Sequence, residues 1–241
     1  MKERSSGFHT ALSSQINYWK NQKLEIERRS APESSAPRAD FPFVTVSREY
    51  GCGGYELAEH LADRLNDMSL RKAPWMAYDR KLLEQIASDL GLSHALAETL
   101  TTKARKQVAS FFETTFSVYP SQVAVFRKLT EIVRTLATNG HVILVGRGSN
   151  IITRDMPLGF HVRLVASMDW KVDRIASLMN LKKKDAEKLI IEKNRDREGF
   201  FAEFARFEMS DPNNYHMVIN NERFTIGQAA DIIIAALTPM A

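Results

Sequence analysis

At 241 residues, 44% hydrophobic and 26% charged, the chain has the composition of an ordinary globular protein and enough length for a sizeable core, which excludes a wholly disordered or fibrous reading. The 33 Lys and Arg against 29 Asp and Glu leave a formal charge of +4 with the two signs interleaved, which argues against a dedicated nucleic-acid binder, whose basic residues gather in a stripe with aromatics among them. No run approaches the ~20 apolar residues of a membrane helix, the N-terminus lacks the apolar core of a signal peptide, and the single cysteine, Cys52, cannot form an internal disulfide; a cytoplasmic protein with no membrane partner is the expectation.

Phe8, Leu12, Ile16, Trp19 and Ile26 recur at helical spacing and predict an apolar stripe on a helix over residues 1–29. Such a stripe either lies on the parent domain or seats a partner, so a homo-oligomer formed through this helix is one expectation. Ser30 to Asp40 has the Pro, Ser and Ala content of a flexible linker, which sets the main domain at residues 41–241.

Phe43-Val44-Thr45-Val46 reads as a short strand that runs into a glycine-rich turn, and Leu57, Ala58, Leu61, Ala62 and Leu65 mark the buried face of the helix after it. A second strand is expected from Trp75 to Tyr78, ending at Asp79, before a helix through Leu82, Leu83 and Ile86 that stops at Gly91. Residues Ser93 to Tyr119 read as helical in pieces, with Ser93 a candidate N-cap and Phe111, Phe112 and Phe116 supplying bulk. Val125, Leu129, Ile132, Val133 and Leu136 line one face of a stronger helix, and Gly140 stands where its C-terminal stop belongs.

His141-Val142-Ile143-Leu144-Val145 is continuously apolar after its first residue, as a strand covered on both faces should be, and it ends in Gly146-Arg147-Gly148. A fourth strand is expected from Phe160 to Ala166, then a helix from about Asp169 to Met179 and a long charged helix from about Lys182 to Phe207. Asp211-Pro212-Asn213-Asn214 has turn chemistry, His216 to Asn220 reads as the last strand, and Ile226, Ala229, Ala230, Ile233, Ile234 and Leu237 line a closing helix. Five strands alternating with helices predict an α/β fold, a five-stranded parallel sheet with helices on both faces.

In such a sheet ligands gather at the C-terminal strand ends. The loop after the first strand, Ser47-Arg48-Glu49-Tyr50-Gly51-Cys52-Gly53-Gly54, has the glycines that let consecutive N–H groups point at an anion, and it opens a helix whose N-terminus adds partial positive charge. Asp79 and Arg147 fall at the ends of the second and third strands, and Arg174, Arg195, Arg197 and Arg206 on later helices. Arginine grips phosphate oxygens with a planar fork, and several together neutralise a phosphoryl group in transfer.

These residues are similar to the cytidylate kinase-like family of P-loop nucleoside monophosphate kinases. The Ser47 to Gly54 run resembles that family's opening loop, and Tyr78-Asp79, Val145-Gly146-Arg147-Gly148, Arg195-Asp196-Arg197 and Asp211-Pro212-x-Asn214-Tyr215 follow in matching order over about residues 43 to 237. The resemblance implies a three-layer P-loop kinase fold with a helical lid, ATP and Mg²⁺ as cofactors, and nucleoside mono- and triphosphates as ligands. It implies ATP phosphates at Ser47, Arg48, Gly51, Cys52, Gly53, Gly54 and Tyr55. The acceptor's monophosphate falls to Asp79 and Arg147, and the charge of transfer to Arg48, Arg147, Arg174, Arg195 and Arg197. Cytidylate is the expected acceptor.

The chain departs from an ordinary phosphate loop. Its lysine and its Mg²⁺-binding hydroxyl are both missing, since those positions fall on Gly54 and Glu56, and Tyr55 holds the place after the paired glycines where the family often has a basic residue. Arg48 could restore the charge from the front of the loop, or Arg174 and the lid arginines from above. No pattern singles out a Mg²⁺ ligand among Asp79, Glu49 and Glu56, and the six histidines show no zinc spacing. A nucleotide-binding regulatory protein that keeps the kinase fold with weak or no catalysis is therefore the alternative. Cys52 reads as a small residue that fits the loop, or as a redox-sensitive thiol activated by the helix N-terminus.

Overall fold

A computed structural model describes residues 2–29, 42–68, 74–115, 123–205 and 208–237. The expected linker from Ser30 to Asp40, and with it Phe116 and Arg206, lies outside these. The five strands are β1 (Phe43–Arg48), β2 (Met76–Tyr78), β3 (Val142–Val145), β4 (Gly159–Val165) and β5 (Met217–Asn220). All pairings are parallel and the order is β2-β3-β1-β4-β5, so β1 lies at the centre with β3 and β4 beside it.

Alternation along β1 sorts its side chains between two cores. Val44 and Val46, with Val145, Val162 and Leu164, meet Leu57 and Leu61 of α2 (Gly54–Met68) and Ala230 and Ile233 of α10 (Ile226–Leu237). On the other face Phe43, Tyr78, Val142 and Leu144 meet α3 (Arg80–Ser88) and α6 (Val123–Asn139) through Leu83, Ile86, Ile132 and Leu136. The helix α1 (Lys2–Arg29) belongs to this second core: Leu12, Ile16 and Trp19 are buried in it, each contributing roughly 2 kcal/mol by leaving water. Gln15 fastens the helix further. Its amide donates to the carbonyls of Pro74 (2.9 Å) and His141 (3.1 Å) and accepts from the Tyr78 hydroxyl (2.5 Å). Of the stripe read from the sequence, Leu12, Ile16 and Trp19 thus lie on the chain's own domain, while Ile26 is exposed.

Gly140 ends α6 as expected, with φ +71° and its N–H on Leu136 O. Two expected boundaries are corrected. The helix α3 stops at Ser88 rather than Gly91, because Asp89 breaks the chain and caps α4 (Leu90–Ala97), accepting from Leu92 N; Gly91 lies inside α4. Ser93 is consequently no N-cap but a buried residue of α4, its hydroxyl on Ile86 O at 2.7 Å. Helices α5 (Thr102–Thr115), α8 (Met168–Met179) and α9 (Lys183–Ala205) follow the expected pattern, and the single turn α7 (Ser149–Ile152) was not foreseen.

Candidate phosphate-binding site

The chain leaves β1 at Arg48 and turns through Gly51 and Gly53, both at positive φ (+97° and +65°), before α2 begins at Gly54. Only glycine takes these angles without strain. Close approach requires them as well: a Cβ at Gly51 would come 3.2 Å from Lys171 Cβ, and one at Gly53 would come 3.0 Å from Arg174 Nη2. Helix α8 therefore lies directly on the loop. Arg174 Nη1 donates to Gly51 O at 3.1 Å, and its Nη2 pairs with Glu56. The buried Lys171 ammonium reaches Glu49 Oε2 at 2.5 Å.

Arg48 crosses the site from the other side. Its stem packs on Gly54, where a Cβ would meet Cγ at 2.9 Å, and its guanidinium lies over Gly146, where a Cβ would overlap Nη1 and sit 2.8 Å from Cζ. Among the described residues no carboxylate lies within ion-pair distance of that guanidinium. Burial, then Arg197, push its pKa down to about 9, with Arg147 adding to them and Asp79 opposing. It is still charged at neutral pH, and a bound anion would relieve the cost of holding the charge there.

The expected partners fall around this point. Gly146, Arg147 and Gly148 all have positive φ (+74°, +53° and +66°), a bend that turns Arg147 toward Glu84, with which Nη2 pairs. Burial and the charge of Arg80 lower the Arg147 pKa, while Glu84 opposes them. Asp79 caps α3, accepting from Leu82 N at 2.9 Å, and its charge is felt at Arg48. Arg197 donates to Arg48 O at 3.2 Å and lies 5.2 Å over the Tyr50 ring, while Asn194 accepts from Tyr50 N at 2.7 Å. Arg195 is exposed and has no described contact with the loop.

Two loop residues contribute differently from expectation. The Tyr55 side chain, half-buried, packs against the first core. Cys52 is fully buried, its N–H turned to Glu49 O (3.4 Å) and its carbonyl accepting from Asn221 (2.8 Å). Burial, then Glu49, raise its thiol to about 11, which favours the reading of Cys52 as a small residue that fits the loop, since an inaccessible neutral thiol is a poor nucleophile. Ser47 is also buried, its Oγ 3.4 Å from the Tyr215 hydroxyl.

Sequence reasoning missed Lys171 and Arg163. Lys171 carried a usable signal, since it stands three residues before Arg174 on one helical face. Glu49 and Glu56 are engaged by Lys171 and Arg174, whereas Asp79, whose charge is felt at Arg48, has no ion pair among the described residues. This suits Mg²⁺ held mainly by nucleotide phosphates and water with one carboxylate behind. A cavity of about 800 Å³ lies at the opposite ends of the strands, against Trp19, Phe43, Leu100 and Met156, and touches none of the loop residues.

A glycine loop that opens a helix at the end of a central parallel strand, ringed by guanidinium groups, defines a fold of the P-loop kinase class with a site suited to phosphate. The chain belongs to the cytidylate kinase-like family, whose model matches residues 43–223. None of the curated proteins matches it.

Among solved structures it is similar to an uncharacterized protein from Eubacterium ventriosum ATCC 27560, at 18% identity and a TM-score of 0.63, over 82% of this chain and 98% of that one. That likeness concerns the fold. Looser overlaps are with shikimate kinase from Bacteroides thetaiotaomicron (15% identity, TM-score 0.44, 82% and 98% of the two chains) and a gluconokinase from Sinorhizobium meliloti 1021 (13%, 0.40, 84% and 95%). Among the described residues no helix is long and apolar enough to cross a membrane.

Proposed function

We propose that the protein transfers the γ-phosphoryl group of ATP to a nucleoside monophosphate, with cytidylate the first choice of acceptor. The observation that carries this reading is the Arg48 guanidinium, without an ion-pair partner among the described residues and held between the glycine loop and Gly146 with Arg147 and Asp79 nearby. It supplies from the front of the loop the charge that an ordinary phosphate loop takes from its lysine. The N–H groups opening α2 and the Arg174 fork would receive the ATP phosphates, and Arg147 with Asp79 the acceptor. Arg197, joined by Arg195 from the exposed side of α9, would meet the phosphoryl group in flight. An acceptor phosphate oxygen attacks the γ-phosphorus, the bond to the β-bridging oxygen breaks, and ADP leaves with that electron pair. Protein groups then act by positioning and charge.

An ADP-release assay with ATP, Mg²⁺ and CMP, dCMP, UMP, AMP or GMP tests this. Background rates for all five with folded protein would reject it. A second reading, a nucleotide-binding regulator without turnover, is favoured by the Glu56 carboxylate that already occupies Arg174 above Gly53. ATP binding with no turnover would select that reading, whereas turnover lost in Arg147→Ala would exclude it.

A further inference from the structure

Beyond Phe43, the face of β1 and β4 turned away from α2 and α10 is polar. In a sheet covered on both sides the strands are normally apolar throughout, yet Thr45 and Ser47 of β1 stand in register with His161 and Arg163 of β4. Thr45 Oγ1 and His161 Nδ1 are 2.9 Å apart, and His161 N–H donates to His216 Nδ1 at 2.9 Å. Burial, then His216, lower the His161 pKa to about 4, so this imidazole is neutral at physiological pH and the positive charge in the row belongs to Arg163.

Arg163 is only 5% exposed, and among the described residues no carboxylate lies within ion-pair distance of it. Nη1 alone has a described hydrogen bond, a long one of 3.4 Å to the Tyr215 hydroxyl, and Cζ lies 5.6 Å over the Tyr215 ring. Tyr215 in turn donates to Met209 O at 2.9 Å, so its oxygen is left to accept from Arg163 and from Ser47, also 3.4 Å away. Tyr215 thereby steadies one arm of the fork, while Nε and Nη2 keep the paired geometry that two oxygens of one oxyanion fit. The place is next to the loop. Ser47 directly precedes Arg48, and the Arg163 charge is felt at Cys52.

We propose that Arg163, steadied by Tyr215 and flanked by Ser47 Oγ, grips the acceptor's phosphate in addition to Arg147 and Asp79. This rests on the phosphoryl-transfer reading above. The assignment to acceptor rather than donor follows from the two faces of the sheet. The cradle that opens α2, with Arg174 above it, serves the donor from one side, and Arg163 stands on the other.

Titration calorimetry of CMP, cytidine and a non-hydrolysable ATP analogue against wild type, Arg163→Met, Arg163→Lys and Tyr215→Phe tests the assignment. Loss of a charge-assisted contact predicts CMP binding weaker by about 10- to 100-fold in Arg163→Met, with cytidine and the ATP analogue unchanged. Arg163→Lys, which keeps the charge, should fall in between and stands in if the methionine variant does not fold. Equal CMP affinity in all proteins overturns the proposal, and so does an equal loss for cytidine or for the ATP analogue. If wild type binds no nucleoside monophosphate, it is the acceptor reading that fails. Inorganic phosphate then decides the subsite: thermal protection of wild type but not of Arg163→Met supports it, and equal protection of both removes it.

Discussion

Replacing Gly146 by alanine strikes the seat of Arg48 without removing a charged group. At φ +74° an alanine is held in the left-handed region, which costs about 1 to 2 kcal/mol for a residue with a Cβ. The new methyl would also overlap Arg48 Nη1 and stand 2.8 Å from Cζ, so the guanidinium must leave the rim between Gly54 and Gly146. In a chain of this size each kcal/mol lowers the melting temperature by about 2 to 4 °C, so a fall of roughly 2 to 8 °C is expected by calorimetry. The displaced charge forfeits a phosphate contact worth about 1.5 to 3 kcal/mol, a loss of about 10- to 100-fold in affinity for a non-hydrolysable ATP analogue or the acceptor. Arg48→Met should show the affinity loss without the strain at residue 146. If Gly146→Ala melts lower while binding both ligands as wild type does, Arg48 is not a phosphate ligand and the argument from its unpaired charge is wrong.

Three further outcomes are expected. Glu56→Gln releases Arg174 from an exposed pair of the kind worth at most about 1 kcal/mol, so affinity for the ATP analogue should rise by up to about 5-fold in low salt; weaker binding would mean that Glu56 itself serves the nucleotide. Gln15→Ala takes the buried partner from the Tyr78 hydroxyl and the Pro74 carbonyl, while the His141 carbonyl keeps Met76 N–H, and should cost about 2 to 4 kcal/mol in denaturant unfolding, whereas a change below about 0.5 kcal/mol would show that α1 is not fastened as described. His141 and His161 have folded pKa values lowered by burial to about 4 from an ordinary 6.5. The unfolded chain therefore takes up protons first, and their stability contribution, complete above pH 6.5, is lost as pH falls toward 4. The drop in unfolding free energy across that window should be shallower in His141→Gln, and an identical profile would remove His141 from the account.

Much of the fold was legible because it is written in short-range chemistry. Strand alternation, the continuous apolar run of Val142 to Val145 and the stop at Gly140 are properties of neighbouring residues, and all five strands follow from them. The boundary at Asp89 was missed because a side chain that ends one helix and caps the next resembles, in sequence, an interior helical residue beside the more conspicuous Gly91. Arg48 and Arg147 could be placed near the loop from the strand ends alone. That Arg195 is exposed while Arg197 reaches Arg48 O depends on how α9 is rotated, which spacing within the helix does not determine.

By itself the sequence determined the parallel sheet, the glycine cradle at the end of β1 and the kind of ligand that cradle suits, since backbone freedom at Gly51 and Gly53 and the charge at a helix start are local. Tertiary structure alone decided which cations stand free at it. Lys171 and Arg174 are engaged by Glu49 and Glu56, residues more than a hundred positions away, whereas Arg48 and Arg163 have no carboxylate among the described residues. Whether a buried charge is paired is settled by strand order, register and the docking of α8, because ion pairing depends on distance in space and not along the chain.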